Sequence, residues 1–169
     1  INAFTSFDQT CYYVVMSSRF FEAGLDILSD AIRHSSFDAE ELSRELEVIQ
    51  EELKRGEDDP GRMATQKLFE TAYREHPYRL PIIGTKESID SFRREDVLHF
   101  YRKHYVPSNM TVVLAGDFEL EEARAKVESY FGDFQGPEHA FVNRTNESEQ
   151  TGLRCAVSDD AGQDSHLRM

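Results

Sequence analysis

The sequence predicts an α+β fold, a mainly antiparallel sheet with helices packed on one face. Three observations carry that reading. A run rich in Thr, Tyr, Phe and Val opens the 169-residue chain. A block of amphipathic helical periods follows it. Residues 109–118, NMTVVLAGDF, then form the clearest strand-like run, apolar on both faces and so expected to be buried.

Each element has its own local signal. Residues 2–16 read as one long strand, or as two with a bend near Asp8. Ser17 and Ser18 offer an N-cap for a helix over about 19–33, with Phe21, Leu25, Leu28 and Ile32 on one face. The sharpest start comes next. Asp38 is a candidate N-cap, Glu41 sits at the third helical position, and Phe37 can staple onto Leu42. The helix that begins there carries Leu42, Leu46, Ile49 and Leu53 on one face and should stop near Gly56, where GEDDPG is turn chemistry. A third helix is expected over about 61–75, followed by HPYRLPIIGT as an ordered loop. Residues 94–105 read as a helix with Val97, Leu98, Tyr101 and Tyr105 inward, and 119–131 as another with Leu120, Ala123, Val127 and Phe131 on one face. Residues 135–152 form a polar connector without a period, before strands at 153–158 and 165–169. Ile1 is an odd first residue and SHLRM ends in mid-strand, so the chain is expected to be truncated at both ends.

Charge and composition narrow the function. The net charge is −13 with 39% apolar and 30% charged residues, which describes a globular chain rather than a disordered one. A phosphate backbone would be repelled, and Lys and Arg are scattered, so nucleic-acid binding is not expected. No apolar run approaches the roughly 18–20 residues of a membrane helix. Cys11 and Cys155 lie far apart in strand-like runs and read as reduced thiols in or near the core, a single bridge being the alternative.

The stretch RELEVIQEEL, residues 44–53, concentrates carboxylates inside a helix. At about 100° per residue, Glu52 falls about 20° from Glu45 when projected down the axis. Ile49 lies about 40° to one side of Glu45 and Val48 about 60° to the other. The two glutamates therefore share the shoulder of the apolar stripe, where each resists desolvation and repels the other. A cation would relieve both problems. On pattern alone a solvated acidic shoulder is the simpler account. Glu47 and Glu51 point further out, and Glu41 is explained by capping.

Other chemistry is sparse. None of the six histidines belongs to H-E-x-x-H or H-x-x-E-H. His99 and His104 are five apart on a helix and fall on different faces. His76 in HPYRLP reads as a loop anchor. There is no G-x-S-x-G, P-loop or Rossmann glycine set.

With those residues in view, the chain resembles the pitrilysin/insulinase family of zinc metallopeptidases, the inverted zincins, which includes the mitochondrial processing peptidases. NAFTSFDQTCYY is similar to the family's N-A-x-T strand and FDAEELSRELEVIQEELKRGEDDP to its glutamate-bearing helix. The run from HPYRLP to AGDF is similar to the loop, helix and strand that follow. Residues 1–134 carry the match, with 135–152 as the connector and 153–169 as the following strands, cut off. One partial peptidase domain is thus expected over 1–169.

The resemblance implies roles. Glu52 would be a zinc ligand and Glu45 its acidic support. Asn2, Ala3 and Thr5 would line the edge strand along which an extended peptide or protein substrate is laid. The family's other two ligands and its general base come from H-x-x-E-H, which these 169 residues lack. The expectation is therefore a fragment of a zinc metalloendopeptidase, inactive alone and holding zinc weakly or not at all. A second homologous domain or subunit would complete it, and open sheet edges would favour self-association. The alternative is a non-catalytic partner subunit that binds peptide, or its active homologue, without hydrolysis. The retained glutamates speak against it. For location, a bacterial cytoplasm or periplasm is expected over a mitochondrial matrix.

Overall fold

The computed structural model describes residues 1–139, 144–158 and 166–169. Helices, not strands, dominate what is described. The elements are β1 (Asn2–Thr5), β2 (Thr10–Tyr13), α1 (Phe21–Arg33), α2 (Ala39–Glu57), α3 (Pro60–Ala72), α4 (Lys86–Ser91), α5 (Arg94–His104) and α6 (Leu120–Phe131). They fall into two compact units, Ile1–Asp38 with Arg93–Phe141, and Ala39–Phe92 with Val142–Met169.

Among the described residues, the expected mainly antiparallel sheet reduces to one hairpin. β1 pairs antiparallel with β2, Asn2 opposite Tyr13 and Thr5 opposite Thr10. The bend foreseen near Asp8 is the turn itself, closed by the Ser6 N–H donating to the Gln9 carbonyl at 2.8 Å. Residues 109–118 and 153–158, both expected as strands, lie outside any ladder among the described residues. Val113, expected in the core, is 79% exposed. The reason is elementary. β-propensity measures how well a residue suits a pleated, half-buried surface, and an apolar run becomes a strand only where a second backbone accepts its hydrogen bonds. No such partner stands beside these runs among the described residues. The expected strand at 165–169 falls partly on residue 165, and the connector partly on 140–143, outside the described residues.

In the first unit, α1 and α6 pack together around buried Leu25, Ser29 and Ala123. Polar contacts fix their register. The Ser29 hydroxyl and the Arg33 guanidinium both donate to the Tyr130 carbonyl, at 3.0 and 2.6 Å, near the C-terminal end of α6, where carbonyls lack helical partners. Arg33 also pairs with Asp133 at 2.8 Å. Leu120, expected on the apolar face of α6, is instead 69% exposed, because it is the first residue of the helix and overhangs the contact. Helix α1 starts two residues later than foreseen, since Ser18–Phe20 form a 3-10 turn. Its Ser17 cap acts through the backbone carbonyl, which accepts from the Phe20 N–H.

Helix α5 keeps Val97, Leu98, Tyr101 and Tyr105 half-buried, as its period requires. Tyr101 donates to the Ile32 carbonyl at 2.5 Å, and the Tyr12 and Tyr105 hydroxyls meet at 2.6 Å, tying the hairpin to α5. Burial first, then the Tyr12 hydroxyl, pushes the Tyr105 phenol well above its ordinary range. Phe37 carries a positive φ of 47°, rare for a non-glycine residue. Its carbonyl accepts from Arg94 Nε at 2.5 Å and its ring meets Tyr101 at 5.0 Å.

In the second unit, α2 lies against α3 and α4, with Ile89 the most buried side chain. Asp59 caps α3, its carboxylate accepting from the Gly61 and Arg62 N–H groups, with Pro60 at the first position, where a missing N–H costs nothing. The helix stops at Ala72, three residues short of expectation, and the next backbone donors explain why. The N–H groups of Arg74, Glu75 and His76 all point at the Glu147 carboxylate, at 2.9–3.0 Å. Arg154 completes the clamp, reaching the Ala72 carbonyl at 2.5 Å and Glu147 at 3.3 Å. The ordered loop begins at a 3-10 turn over Pro77–Arg79, where His76 Nδ1 accepts from the Tyr78 N–H, so this histidine is the anchor foreseen. Both cysteines are free thiols. Cys11 is half-buried, whereas Cys155 is exposed rather than in the core, since residues 153–158 join no ladder among the described residues.

Two outcomes follow. Leu25→Ala should cost about 2–4 kcal/mol in urea unfolding, while Val113→Ala stays within about 0.5 kcal/mol. The Glu147 carboxyl, held by the His76, Glu75 and Arg74 N–H groups and then by Arg154, sits at about 2 instead of 4.5. A depressed carboxyl stabilises the fold above its ordinary value and loses that effect as pH falls toward the folded one. Glu147→Gln should therefore be less stable than the parent at pH 7, with the two stability curves converging between pH 4.5 and 2. Circular dichroism against pH and urea measures it.

Candidate metal and peptide site

Helix α2 runs without interruption through both Glu45 and Glu52. Their shared face therefore follows directly from helical geometry, and the rise of about 1.5 Å per residue sets them roughly 10 Å apart along the axis. Leu42, Leu46, Ile49 and Leu53 are half-buried, as the period predicts. Val48, expected as the apolar flank on the other side of the pair, is exposed, so Glu45 has apolar cover on one side only. Both glutamates are exposed to water.

An arginine that the sequence did not single out faces Glu52. Arg62 Nη2 lies 4.0 Å from Glu52 Oε1, with the two side chains 43% and 63% exposed. Gly56 lets it reach there. This residue lies within the last turn of α2 rather than beyond it, and a Cβ added to it would stand 2.8 Å from Arg62 Cζ. The glycine in GEDDPG thus serves a close approach as well as the chain reversal. The cue that could have revealed Arg62 is its place in the first turn of the next helix, where antiparallel neighbours meet.

Chemically, the pair offers two open carboxylates that attract a cation, and a guanidinium already stands against one of them. The described residues do not complete a zinc site. Among them, no three His, Cys, Asp or Glu side chains come close enough to share an ion. A structural zinc takes four ligands and a catalytic one three from protein, so Glu52 could supply only one oxygen of such a set.

The predicted peptide strand is β1. Asn2, Ala3 and Thr5 are all exposed. One edge of β1 is used by β2, and no strand occupies the other among the described residues, since the sheet has two members. Thr5 Oγ1 lies 3.2 Å from Thr10 Oγ1 across the hairpin. These three residues belong to the first unit, and Glu45 and Glu52 to the second.

Comparison with known proteins identifies the class. The family described as Insulinase (Peptidase family M16) matches residues 1–86, and that described as Peptidase M16 inactive domain matches residues 91–168. The chain belongs to the M16 peptidase family. Among its relatives, an uncharacterized zinc protease of Rickettsia bellii is 30% identical over 90% of this chain and 39% of its own length. The uncharacterized zinc protease YmxG of Bacillus subtilis is 33% identical over 80% of this chain and 33% of its own. A solved protease from Helicobacter pylori is 26% identical, covering 90% of this chain and 38% of that one, with a TM-score of 0.84. The chain therefore spans between a third and two fifths of these relatives. Among the described residues, no helix is long and apolar enough to cross a membrane.

An exposed ion pair contributes about 0–1 kcal/mol. Glu45→Gln, Glu52→Gln and Arg62→Gln should therefore each move the thermal unfolding free energy by no more than about 1 kcal/mol. A larger loss would mean that the carboxylates hold the fold together.

Proposed function

We propose that this chain is part of a zinc-dependent metalloendopeptidase that hydrolyses extended peptides. Glu52 is the residue that meets the metal, and Glu45 is its acidic support. The observation that carries this reading is the exposed carboxylate pair on one face of α2, in a chain of the M16 family whose named relatives are zinc proteases. Membership gives the class of chemistry, and the exposure of the pair gives a reason for its position that folding does not supply.

Asn2, Ala3 and Thr5 present an edge that an extended substrate can join by strand addition, its backbone supplying the hydrogen bonds and its alternate side chains the selectivity. When bound, zinc would acidify a water for attack on the scissile carbonyl. This chain's part is narrower. Glu52 supplies one oxygen, Glu45 adds negative charge along the same helix face, and β1 positions the peptide. A second homologous domain or subunit supplies what these residues do not, and the isolated 169-residue chain is inactive.

The test uses the intact protein that contains this chain. Zinc content after dialysis against a mild chelator and cleavage of an unstructured fluorogenic peptide are measured for the parent, Glu52→Gln and Glu45→Gln. Glu52→Gln should lose the metal and at least about 1,000-fold in kcat/KM, a cost on the order of 4 kcal/mol. Glu45→Gln should fall short of that loss. An intact protein that binds peptide yet holds no zinc and cleaves nothing would be the partner-subunit alternative. Zinc retention unchanged in Glu52→Gln would remove this glutamate from the site.

A further inference from the structure

Two histidines that no helical period connects meet in the first unit. His104 closes α5, and His139 lies 35 residues further on, with His104 Nδ1 standing 3.0 Å from His139 Nε2. One short turn, Pro107–Asn109, fixes both backbones. Asn109 Nδ2 donates to the His104 carbonyl at 2.9 Å, and the His139 N–H donates to Ser108 Oγ at 2.8 Å. The ring centroids are 5.1 Å apart with planes inclined by 53°, so the nitrogens converge edge to edge. Phe100 lies against His104, its centroid 4.4 Å away, and restricts that ring's rotation. Both histidines are half-buried, and His139 Nδ1 is enclosed.

We propose that His104 and His139 form a two-imidazole site for a late first-row divalent cation of tetragonal or octahedral preference, the class of Ni²⁺ and Cu²⁺. Two nitrogens bound at right angles on one ion, with bonds of about 2.1 Å, stand about 3.0 Å apart. A tetrahedral ion sets them at about 3.4 Å. The observed separation matches the first geometry, and the two rings, now hydrogen-bonded, turn only so far as to bring both lone pairs onto the ion. With His139 protonated on its enclosed Nδ1 and His104 donating from Nδ1, binding moves the His104 proton through solvent to His104 Nε2 and frees both facing nitrogens. Both ligands stay neutral, no proton is lost, and water fills the remaining positions. The opposing charges in the last turn of the same helix are Arg102 and Lys103, both exposed and screened by water. The chain's net charge of −13 favours a cation in general. This site does not depend on the peptidase reading and uses none of its residues.

The probe is NiCl₂ added to the 169-residue chain, followed by long-range ¹H–¹⁵N spectra of the imidazoles with calorimetry in parallel. At substoichiometric Ni²⁺, paramagnetic broadening should be confined to His104 and His139. The one-site isotherm should weaken by about tenfold or more, or about 1.4 kcal/mol, in His104→Gln and in His139→Gln. Glu52→Gln and His34→Gln should leave it unchanged, His34 being the imidazole that lies 3.1 Å from Asp30 and so offers the best competing pair. Broadening spread evenly over all six histidines, or an isotherm indifferent to both substitutions, means an adventitious ion only and overturns the site. Should either variant unfold, the broadening pattern of the unsubstituted chain decides alone.

Discussion

The unbroken hydrogen-bond ladder of α2 is the constraint on which the candidate site depends. A helix that continues from Ala39 to Glu57 leaves Glu45 and Glu52 no choice but to share a face. The same continuity lays the apolar stripe Leu42, Leu46, Ile49 and Leu53 along one side, so the helix has something to pack against. α3 and α4 accept that stripe, and the Gln50 side chain adds a hydrogen bond to Asp90 at 2.7 Å. Interrupt α2 between the glutamates and both the site and the core of its unit are lost together.

Where helical ladders stop, side chains take over the backbone's hydrogen bonds. Glu147 is the clearest instance, since one carboxylate satisfies three consecutive N–H groups after α3. Ser29 and Arg33 perform the reverse service, donating to a carbonyl near the end of α6. Among the described residues, a single short hairpin has few backbone partners to offer the extended segments. Polar side chains at long sequence separation therefore carry more of the bonding than they would within a broad sheet.

The residues proposed for function lie on exposed features, where a ligand can meet them. Glu45 and Glu52 lie in water, and so does the strand Asn2–Thr5. Charged side chains so placed contribute little to stability, which makes their presence informative about something other than folding. The arginine opposite Glu52 shows how a bare carboxylate is accommodated, by a screened cation that another positive charge could displace.

Much was determined by the sequence alone. Periodicity located five of the six α-helices to within about three residues, because a buried stripe at 3.6-residue spacing is a local property of the chain. The brief α4 fell within the unassigned residues after the HPYRLP loop, since six residues are too few to show a period. The motif pattern led to the family, and the proposals for Glu45, Glu52, Asn2, Ala3 and Thr5 rest on the same resemblance. What the sequence misjudged were the strands at 109–118 and 153–158, because pairing needs a second backbone and no run of residues encodes its own partner. Arg62 against Glu52, Glu147 on its three donors, and His104 against His139 were likewise invisible. Each joins residues with no common period, and only tertiary structure sets the distance between them.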